Sequence, residues 1–484
     1  MVKAALANSA WCLASSASWA AFAHALEDPQ RAQEEILRRF IRNNSQTAFG
    51  REHGLAEIGT AEQFARRVPI LDYDAIHPWI DRIRRGEQHV LTSEAVSRLV
   101  PTSGSRAARK LIPYTASMQR ELNRAIGPWI FDLYRRHPRA LLGPSYWSIS
   151  PLALHKPDVA EDSAVPIGFD EDAAYLGSWR KIIVDSVMAV PSAVRSIVSI
   201  ENWRYVTALL LLRRRSLRLI SVWHPSFLEL LLGAMRCHWG SLVRDIAEGT
   251  CAATRHLPPA SFEWVIARPD PRRADELRKP GPAGSDGLWP LLEVLSCWAD
   301  GHAAGAAAEM ARALPSVPIQ PKGLLATEGV ISIPFAGQHP RAIRSHFLEF
   351  EDDSGNISMA SDLQSGLAYK VILTNAGGLC RYRLNDRSKS MGWWAGLLRF
   401  ASSADQVSCP TAWERRSPRA LPLTCFVICF GTRFADRRSP CWRRTSTEKV
   451  VAIHSISMRK DRMNSSRRST LFFLQTRNMH IAAI

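Results

Sequence analysis

Residues 217–249 constrain the fold of this chain more than any other stretch. Leu217-Arg-Leu-Ile-Ser-Val-Trp223 has the apolar, β-branched character of a strand. It is followed by Leu228, Leu231, Met235, Trp239, Leu242 and Ile246, which repeat at helical intervals. Ser226-Phe-Leu-Glu229 has the spacing of a capping box, and Gly249 is placed to close that helix. The apolar run 206–212 predicts an earlier helix, and the rhythm returns with a strand over 293–297 and a helix over 303–314. A chain that alternates in this way covers a mostly parallel sheet with helices, so the fold class expected is α/β. Beyond Leu324, short strands separated by Gly, Asp and Pro predict an antiparallel subdomain. Residues 255–287, rich in Pro, Arg and Gly, read as a surface insertion. The tryptophans and the apolar stripe of the 226–249 helix read as core.

A second informative stretch is Pro101-Thr-Ser-Gly-Ser-Arg-Ala-Ala-Arg-Lys-Leu-Ile-Pro-Tyr-Thr115. Hydroxyl side chains and a glycine follow the apolar run 96–100, and Lys110 comes soon after. Such a loop can turn N–H and hydroxyl donors onto phosphate oxygens. It is not a Walker loop, because G-x-x-x-x-G-K-[ST] is absent. Ordinary turn chemistry uses the same residues.

Composition and charge narrow the alternatives. A chain of 484 residues, 46% hydrophobic and 22% charged, is long enough for more than one domain and a large core. No apolar stretch approaches bilayer length, and 206–212 runs straight into Arg213-Arg-Arg215. The N-terminus imitates a secretory signal, with Ala21-Phe-Ala-His-Ala25 as a cleavage-like site. Asn8, Ser9, Ser15, Ser16 and Ser18 interrupt its apolar core, however, and a helical pattern follows over 27–40. The expectation is a cytoplasmic chain with an N-terminal helix. Nine cysteines lack metal-ligand spacing; Cys425 and Cys429 have no second pair, so zinc is not expected.

The net charge of +17 would ordinarily point to nucleic acid or a membrane surface. Its distribution argues otherwise. Residues 409–484 hold 13 Arg and 2 Lys against 4 acidic residues, a net +11, which leaves +6 on residues 1–408. That tail also contains one glycine in 76 residues and four of the nine cysteines. It has no finger, helix-turn-helix or stacking platform, so no specific nucleic-acid partner and no membrane span are expected.

Two further segments join the first loop in order. Leu324-Leu-Ala-Thr-Glu-Gly329 precedes the strand-like Val330-Ile-Ser-Ile-Pro-Phe335. Tyr369-Lys-Val-Ile-Leu-Thr374 and the turn Asn375-Ala-Gly-Gly378 precede Arg381-Tyr-Arg-Leu-Asn-Asp386. With Phe49-Gly-Arg-Glu-His-Gly54, Tyr146-Trp-Ser-Ile-Ser-Pro151 and Ser296-Cys-Trp-Ala-Asp-Gly-His302, the ordered set resembles the adenylate-forming enzymes. Within them it resembles bacterial-type members of the auxin-responsive acyl-acid amido synthetase family. The likeness runs from about residue 11 to residue 408.

The resemblance implies an enzyme with ATP and Mg2+ as cofactors, a carboxylic acid activated as an acyl-adenylate, and an amine or amino acid as acceptor. Thr102, Ser103, Gly104 and Ser105 would hold the β- and γ-phosphates, with Lys110 nearby. Thr327 would hydrogen-bond the α-phosphate, Glu328 would ligate Mg2+, and Asp386 would bind the ribose hydroxyls, with Arg383 orienting it or its loop. Lys110, Thr327 and Glu328 are the catalytic candidates. Each has a plainer reading: Glu328 as a solvated loop carboxylate and Asp386 as a turn residue. His302 is assigned no role. Where family loops carry small residues, this chain has Arg106-Ala-Ala-Arg109, which either crowds the phosphates or ligates them.

The implied organisation is a large ATP- and acyl-binding domain over 1–390, a hinge region over 391–408, and an aberrant basic tail over 409–484 in place of the small C-terminal domain. Family members continue past Ser408 into a Gly-Glu-Lys segment. Here the chain reads Cys409-Pro-Thr-Ala-Trp-Glu-Arg-Arg416. One permitted set of codons for those residues, shifted by two bases, encodes Pro-Asp-Gly-Leu-Gly-Glu-Lys. The tail is therefore read as a frameshifted small domain, degraded or disordered. Two other readings stay open: an inactive remnant that binds ATP or an acid, and a basic-tailed nucleic-acid binder.

Overall fold

The computed structural model describes residues 2–102, 110–149, 163–168, 186–253, 263–282, 284–364 and 367–384. All lie in one unit, Met1–Ser403. The expected hinge (391–408) and tail (409–484) fall outside the described residues.

The N-terminal run, despite its polar interruptions, is the long helix α1 (Val2–Ala25). Its Asn8 is buried, donating to the Leu141 and Gly143 carbonyls and accepting from the Tyr134 hydroxyl at 2.8 Å. Helix α2 (Pro29–Asn44) starts where Asp28 accepts from the Arg31 N–H and Pro29 fills the first turn. Short helices α3 (Ala48–Glu52), α4 (Ala61–Arg67) and α5 (Tyr73–Arg84) follow, capped by Thr47, Thr60 and Asp72. Strands β1 (Arg98–Pro101) and β2 (Leu111–Tyr114) form an antiparallel hairpin. Next comes α6 (Ala116–Arg136), the partner of α1. Gly127 lets the two approach closely, since a Cβ there would sit 2.8 Å from that of Ser18.

The alternating part of the chain builds a four-stranded parallel sheet. Strand β3 (Ser145–Trp147) precedes α7 (Ile200–Arg213), β4 (Leu219–Ser221), α8 (Pro225–Cys237), α9 (Trp239–Glu248), α10 (Pro271–Arg278), β5 (Val294–Cys297), α11 (Ala304–Ala313) and β6 (Ile319–Pro321). The sheet order is β3-β4-β5-β6, all parallel, with Val206, Leu209, Leu228, Leu231, Leu242 and Ile246 in its core.

Two expectations are corrected here. The 226–249 segment is two helices broken at His238, and its first cap is His224, whose Nδ1 accepts from the Ser226 N–H at 3.2 Å, rather than a box at Ser226. Pro225 moves the start back because a first-turn proline wastes no donor. The 255–287 segment is not merely a surface insertion. Its α10 buries Ala274 and Leu277 in the core, and buried Arg273 donates to the Leu212 and Leu288 carbonyls.

After β6 the chain turns antiparallel, as expected. A two-residue turn joins β7 (Leu325–Ala326) to β8 (Gly329–Val330); the strand-like run then continues only as isolated bridges at Ser332 and Phe335. Strands β9 (Phe347–Glu351), β10 (Ile357–Met359), β11 (Lys370–Thr374) and β12 (Tyr382–Arg383) form a sheet in the order β10-β9-β11-β12. Leu37, Phe40, Phe64 and Ile76 from the N-terminal helices pack with its Phe347, Phe350 and Val371. Among the described residues no helix is long and apolar enough to cross a membrane.

Candidate active site

Three segments border the turn 375–378: the β1–β2 hairpin and the β7–β8 turn, both distant in sequence, and β12, which follows it closely. Asn375, buried after β11, organises that turn: its Oδ1 accepts from the Gly377 N–H at 2.9 Å and the Leu379 N–H at 3.2 Å. Both glycines are sterically required. A Cβ on Gly377 would lie 2.5 Å from the Pro113 carbonyl oxygen, and Gly378 has φ +99° against the Leu91 backbone. The Ala376 carbonyl accepts from Thr115 Oγ1 at 3.1 Å, and its N–H donates to Glu121 Oε2 at 2.9 Å. The same Glu121 oxygen pairs with buried His346 Nδ1 at 2.9 Å.

The first segment is the hairpin β1–β2. Thr102 sits at its open end, where its N–H donates to the Lys110 carbonyl at 2.9 Å and so closes the base of the 103–109 loop. The Lys110 side chain reaches beyond the hairpin: Nζ lies 5.7 Å from the Tyr73 ring centroid and donates to the Tyr382 hydroxyl at 3.5 Å. The candidate phosphate loop is thereby tied at its base to β12. Ser103, Gly104 and Ser105 lie outside the described residues.

The second segment is the β7–β8 turn, made of Thr327 and Glu328 themselves. Asn375 Nδ2 donates to the Glu328 carbonyl at 2.7 Å, which couples this turn to 375–378. Gly329 permits the close packing behind it, since a Cβ there would meet the His346 ring at 2.8 Å. Thr327 is half-buried and Glu328 is buried.

The third is β12. Arg383 Nη2 donates to Glu351 Oε1 at 2.9 Å, and Nε lies 2.9 Å from Oε2, so the guanidinium is engaged with β9. Asp386, the carboxylate it was expected to orient, lies outside the described residues. Arg381, at φ +45°, is buried; it forks onto Glu349 at 2.8 and 2.9 Å and donates through Nη1 to the Ala65 and Val68 carbonyls, both at 2.7 Å. Burial pushes the Glu349 carboxyl up, and the hydrogen bonds from Arg381 oppose that shift.

The structure thus joins two sequence-distant segments at the 375–378 turn, the β1–β2 hairpin through Thr115 and the Thr327–Glu328 turn through Asn375, while Lys110 reaches Tyr382 and Arg383 is turned to Glu351 on β9. Among the described residues no group of three or more His, Cys, Asp or Glu side chains could hold a metal by itself. A single carboxylate such as Glu328 suits Mg2+, which commonly binds through one or two carboxylates plus substrate phosphates. Sequence reasoning missed Glu121, His346 and Glu349, and saw Asn375 only as part of a turn. Their partners lie up to 255 residues away along the chain, beyond any local pattern.

Residues 19–319 match the GH3 family N-terminal domain and residues 341–401 the GH3 family central domain. The chain is similar to the probable indole-3-acetic acid-amido synthetase GH3.11 of Oryza sativa subsp. japonica, 24% identical over 418 residues, covering 77% of this chain and 68% of the relative. It is likewise similar to the indole-3-acetic acid-amido synthetase GH3.3 of Arabidopsis thaliana, 24% identical over 412 residues, covering 76% of this chain and 66% of the relative. Among solved structures, a GH3.15 acyl acid amido synthetase in complex with 2,4-DB superposes with a TM-score of 0.66 at 18% identity, covering 76% of this chain and 67% of that one. This last likeness speaks for the fold. The chain spans about two thirds of the length of each relative.

Proposed function

The chain belongs to the GH3 family, and on that premise we propose that it is an ATP-dependent acyl-acid amido synthetase. It activates a carboxylic acid as an acyl-adenylate and passes the acyl group to an amine or amino acid. The observation that carries the reading is a chain of contacts: Thr115, at the end of the β1–β2 hairpin, and the Thr327–Glu328 turn are both bonded to the 375–378 turn, and Lys110, at the base of the hydroxyl-rich loop, reaches Tyr382 of β12. Adenylation brings a carboxylate against the α-phosphate and expels pyrophosphate, so it needs cations and oriented donors around two anions.

In this reading Thr102 with Ser103, Gly104 and Ser105 receives the β- and γ-phosphates and Lys110 adds positive charge. Thr327 donates to the α-phosphate. Glu328 is the protein ligand of the Mg2+ that ATP carries, a metal that neutralises the triphosphate. Asp386 takes the ribose hydroxyls. Names among the relatives make indole-3-acetate a first acid to try.

The decisive measurement is ATP–pyrophosphate exchange with a panel of carboxylic acids. Acid-dependent exchange supports the reading; its absence for every acid while ATP still binds favours the inactive remnant. The domain reading (1–390, 391–408, 409–484) is proposed with it, the tail being a frameshifted small domain. Resequencing the gene around codon 408 tests that part: an alternative frame without a Gly-Glu-Lys segment would refute it.

A further inference from the structure

The carboxyl ends of the four parallel strands meet around a side chain that the nucleotide reading does not use. Lys322 follows β6 directly, and its N–H donates to the Cys297 carbonyl at 2.8 Å. Its Nζ donates to Ser221 Oγ at 2.9 Å. The same nitrogen lies 4.4 Å from the Trp223 ring centroid, 5.5 Å from that of Trp129 and 5.9 Å from that of Trp147. Trp147, Ser221 and Cys297 are the last residues of β3, β4 and β5. Open α/β sheets bind their ligands at this edge.

The amine is buried, yet among the described residues no carboxylate pairs with it. Its ionisable neighbour, Cys297, is a thiol that burial pushes up to about 11, so it supplies no negative charge at neutral pH. Tryptophan faces and one hydroxyl return only part of what an ammonium loses on leaving water. Over the amine lies Trp223, 46% exposed, with Trp298 at 5.7 Å between ring centroids. The cage is deep, aromatic, covered by one exposed ring, and lacks an anion.

We propose that Lys322 is a specificity-determining residue that receives the carboxylate of the acyl acid, which enters beside Trp223 and lays its apolar body against Trp223 and Trp298. In naming the anion as the acyl acid, the inference rests on the function proposed above. No bond is made or broken at Lys322. The cage selects acids over neutral analogues of the same shape, and the chain leads from Lys322 to the Thr327–Glu328 turn within five residues.

Calorimetric titration of the full chain with matched pairs tests this: benzoate and benzamide, phenylacetate and phenylacetamide, indole-3-acetate and indole-3-acetamide. For at least one pair the carboxylate should bind about 10-fold or more tighter than the amide, as a charge-assisted hydrogen bond provides. Lys322→Met should erase that preference while leaving amide binding in place. A preference that survives in Lys322→Met, or no preference in the unaltered chain for any pair, overturns the proposal. If Lys322→Met does not fold, the unaltered chain decides by itself. Titrated at pH 8 in two buffers of different ionisation enthalpy, it should take up protons as the carboxylate binds and not as the amide binds; no uptake overturns the proposal. Exchange separates this from the functional reading. Acid-dependent exchange with an unchanged KM for the acid in Lys322→Met sinks the Lys322 role alone. A Lys322-dependent carboxylate preference without any exchange sinks the synthetase reading alone.

Discussion

Two cations are buried to nearly the same degree in this molecule, Arg381 at 3% exposure and Lys322 at 4%, and they are accommodated in opposite ways. Arg381, in the antiparallel half, meets a carboxylate through two hydrogen bonds and two carbonyls through its remaining donors. Lys322, at the edge of the parallel half, meets three ring faces and one hydroxyl. The first is closed: every strong interaction it makes is inside the fold, and it fixes the strand that leads toward Asp386. The second is open, because its charge has no counterpart of the same strength. Burial alone does not separate a structural charge from a binding one; the completeness of its shell does.

The largest expected effect breaks the closed pair. Glu349→Ala leaves the Arg381 guanidinium buried without its partner, and such losses cost roughly 3–5 kcal/mol. Urea unfolding of the full chain should show that drop. A loss below about 1 kcal/mol would mean that the surrounding carbonyls suffice and that the contrast with Lys322 is overstated. Next in size is Glu328→Gln, which keeps the turn and removes the charge. If Glu328 ligates Mg2+, acid-dependent exchange falls by on the order of 100-fold. Weakened Mn2+ binding in the presence of ATP, followed by electron paramagnetic resonance, provides a readout separate from turnover. Unchanged Mn2+ affinity would remove Glu328 from the metal. Asn375→Ala follows, since it leaves the buried Glu328 carbonyl without its 2.7 Å donor. A stability loss of roughly 1–3 kcal/mol is expected, together with a raised KM for ATP. A change in stability with no change in that KM would make Asn375 a strut of the turn only.

The halves also differ in how far the sequence could be read. Helical spacing at Leu228, Leu231, Leu242 and Ile246, and the strand before it, gave the parallel sheet because both signals are local. The α10 helix stayed hidden because its key buried residue is Arg273, which looks like surface until the Leu212 and Leu288 carbonyls are brought beside it. Thr102, Lys110, Thr327, Glu328 and Arg383 were singled out through the order of their motifs, and their roles are those proposed above. Glu121, His346 and the coupling by Asn375 were not, because each acts across contacts that only the folded chain creates. Lys322 is the sharpest case. A single lysine after a short strand carries no pattern; Trp129 and Trp147 pack in or against the core, as the sequence suggested, and only the folded chain sets them and Trp223 around the amine.

The smallest expected effect concerns that lysine and pH. Burial lowers Lys322 from its ordinary value to about 7. The unfolded chain holds the same proton until about pH 10.4. Between these limits the unfolded state binds more protons than the folded state, so Lys322 makes stability rise with pH across that window. Below pH 7 both states are protonated and the burial penalty is present in full. Above about pH 10.4 both are neutral and it is gone. The slope from one group cannot exceed about 1.4 kcal/mol per pH unit. Because other groups titrate in the same range, the quantity to measure is the stability of the unaltered chain minus that of Lys322→Met, from urea unfolding at several pH values between 6 and about 10. That difference should climb with pH, with Lys322→Met the more stable of the two at pH 6, where an apolar side chain of similar length avoids burying an ammonium. A flat difference would mean that the ammonium is as well solvated in its cage as in water. The cage would then be as closed as the Arg381–Glu349 pair, and no anion would be needed to complete it.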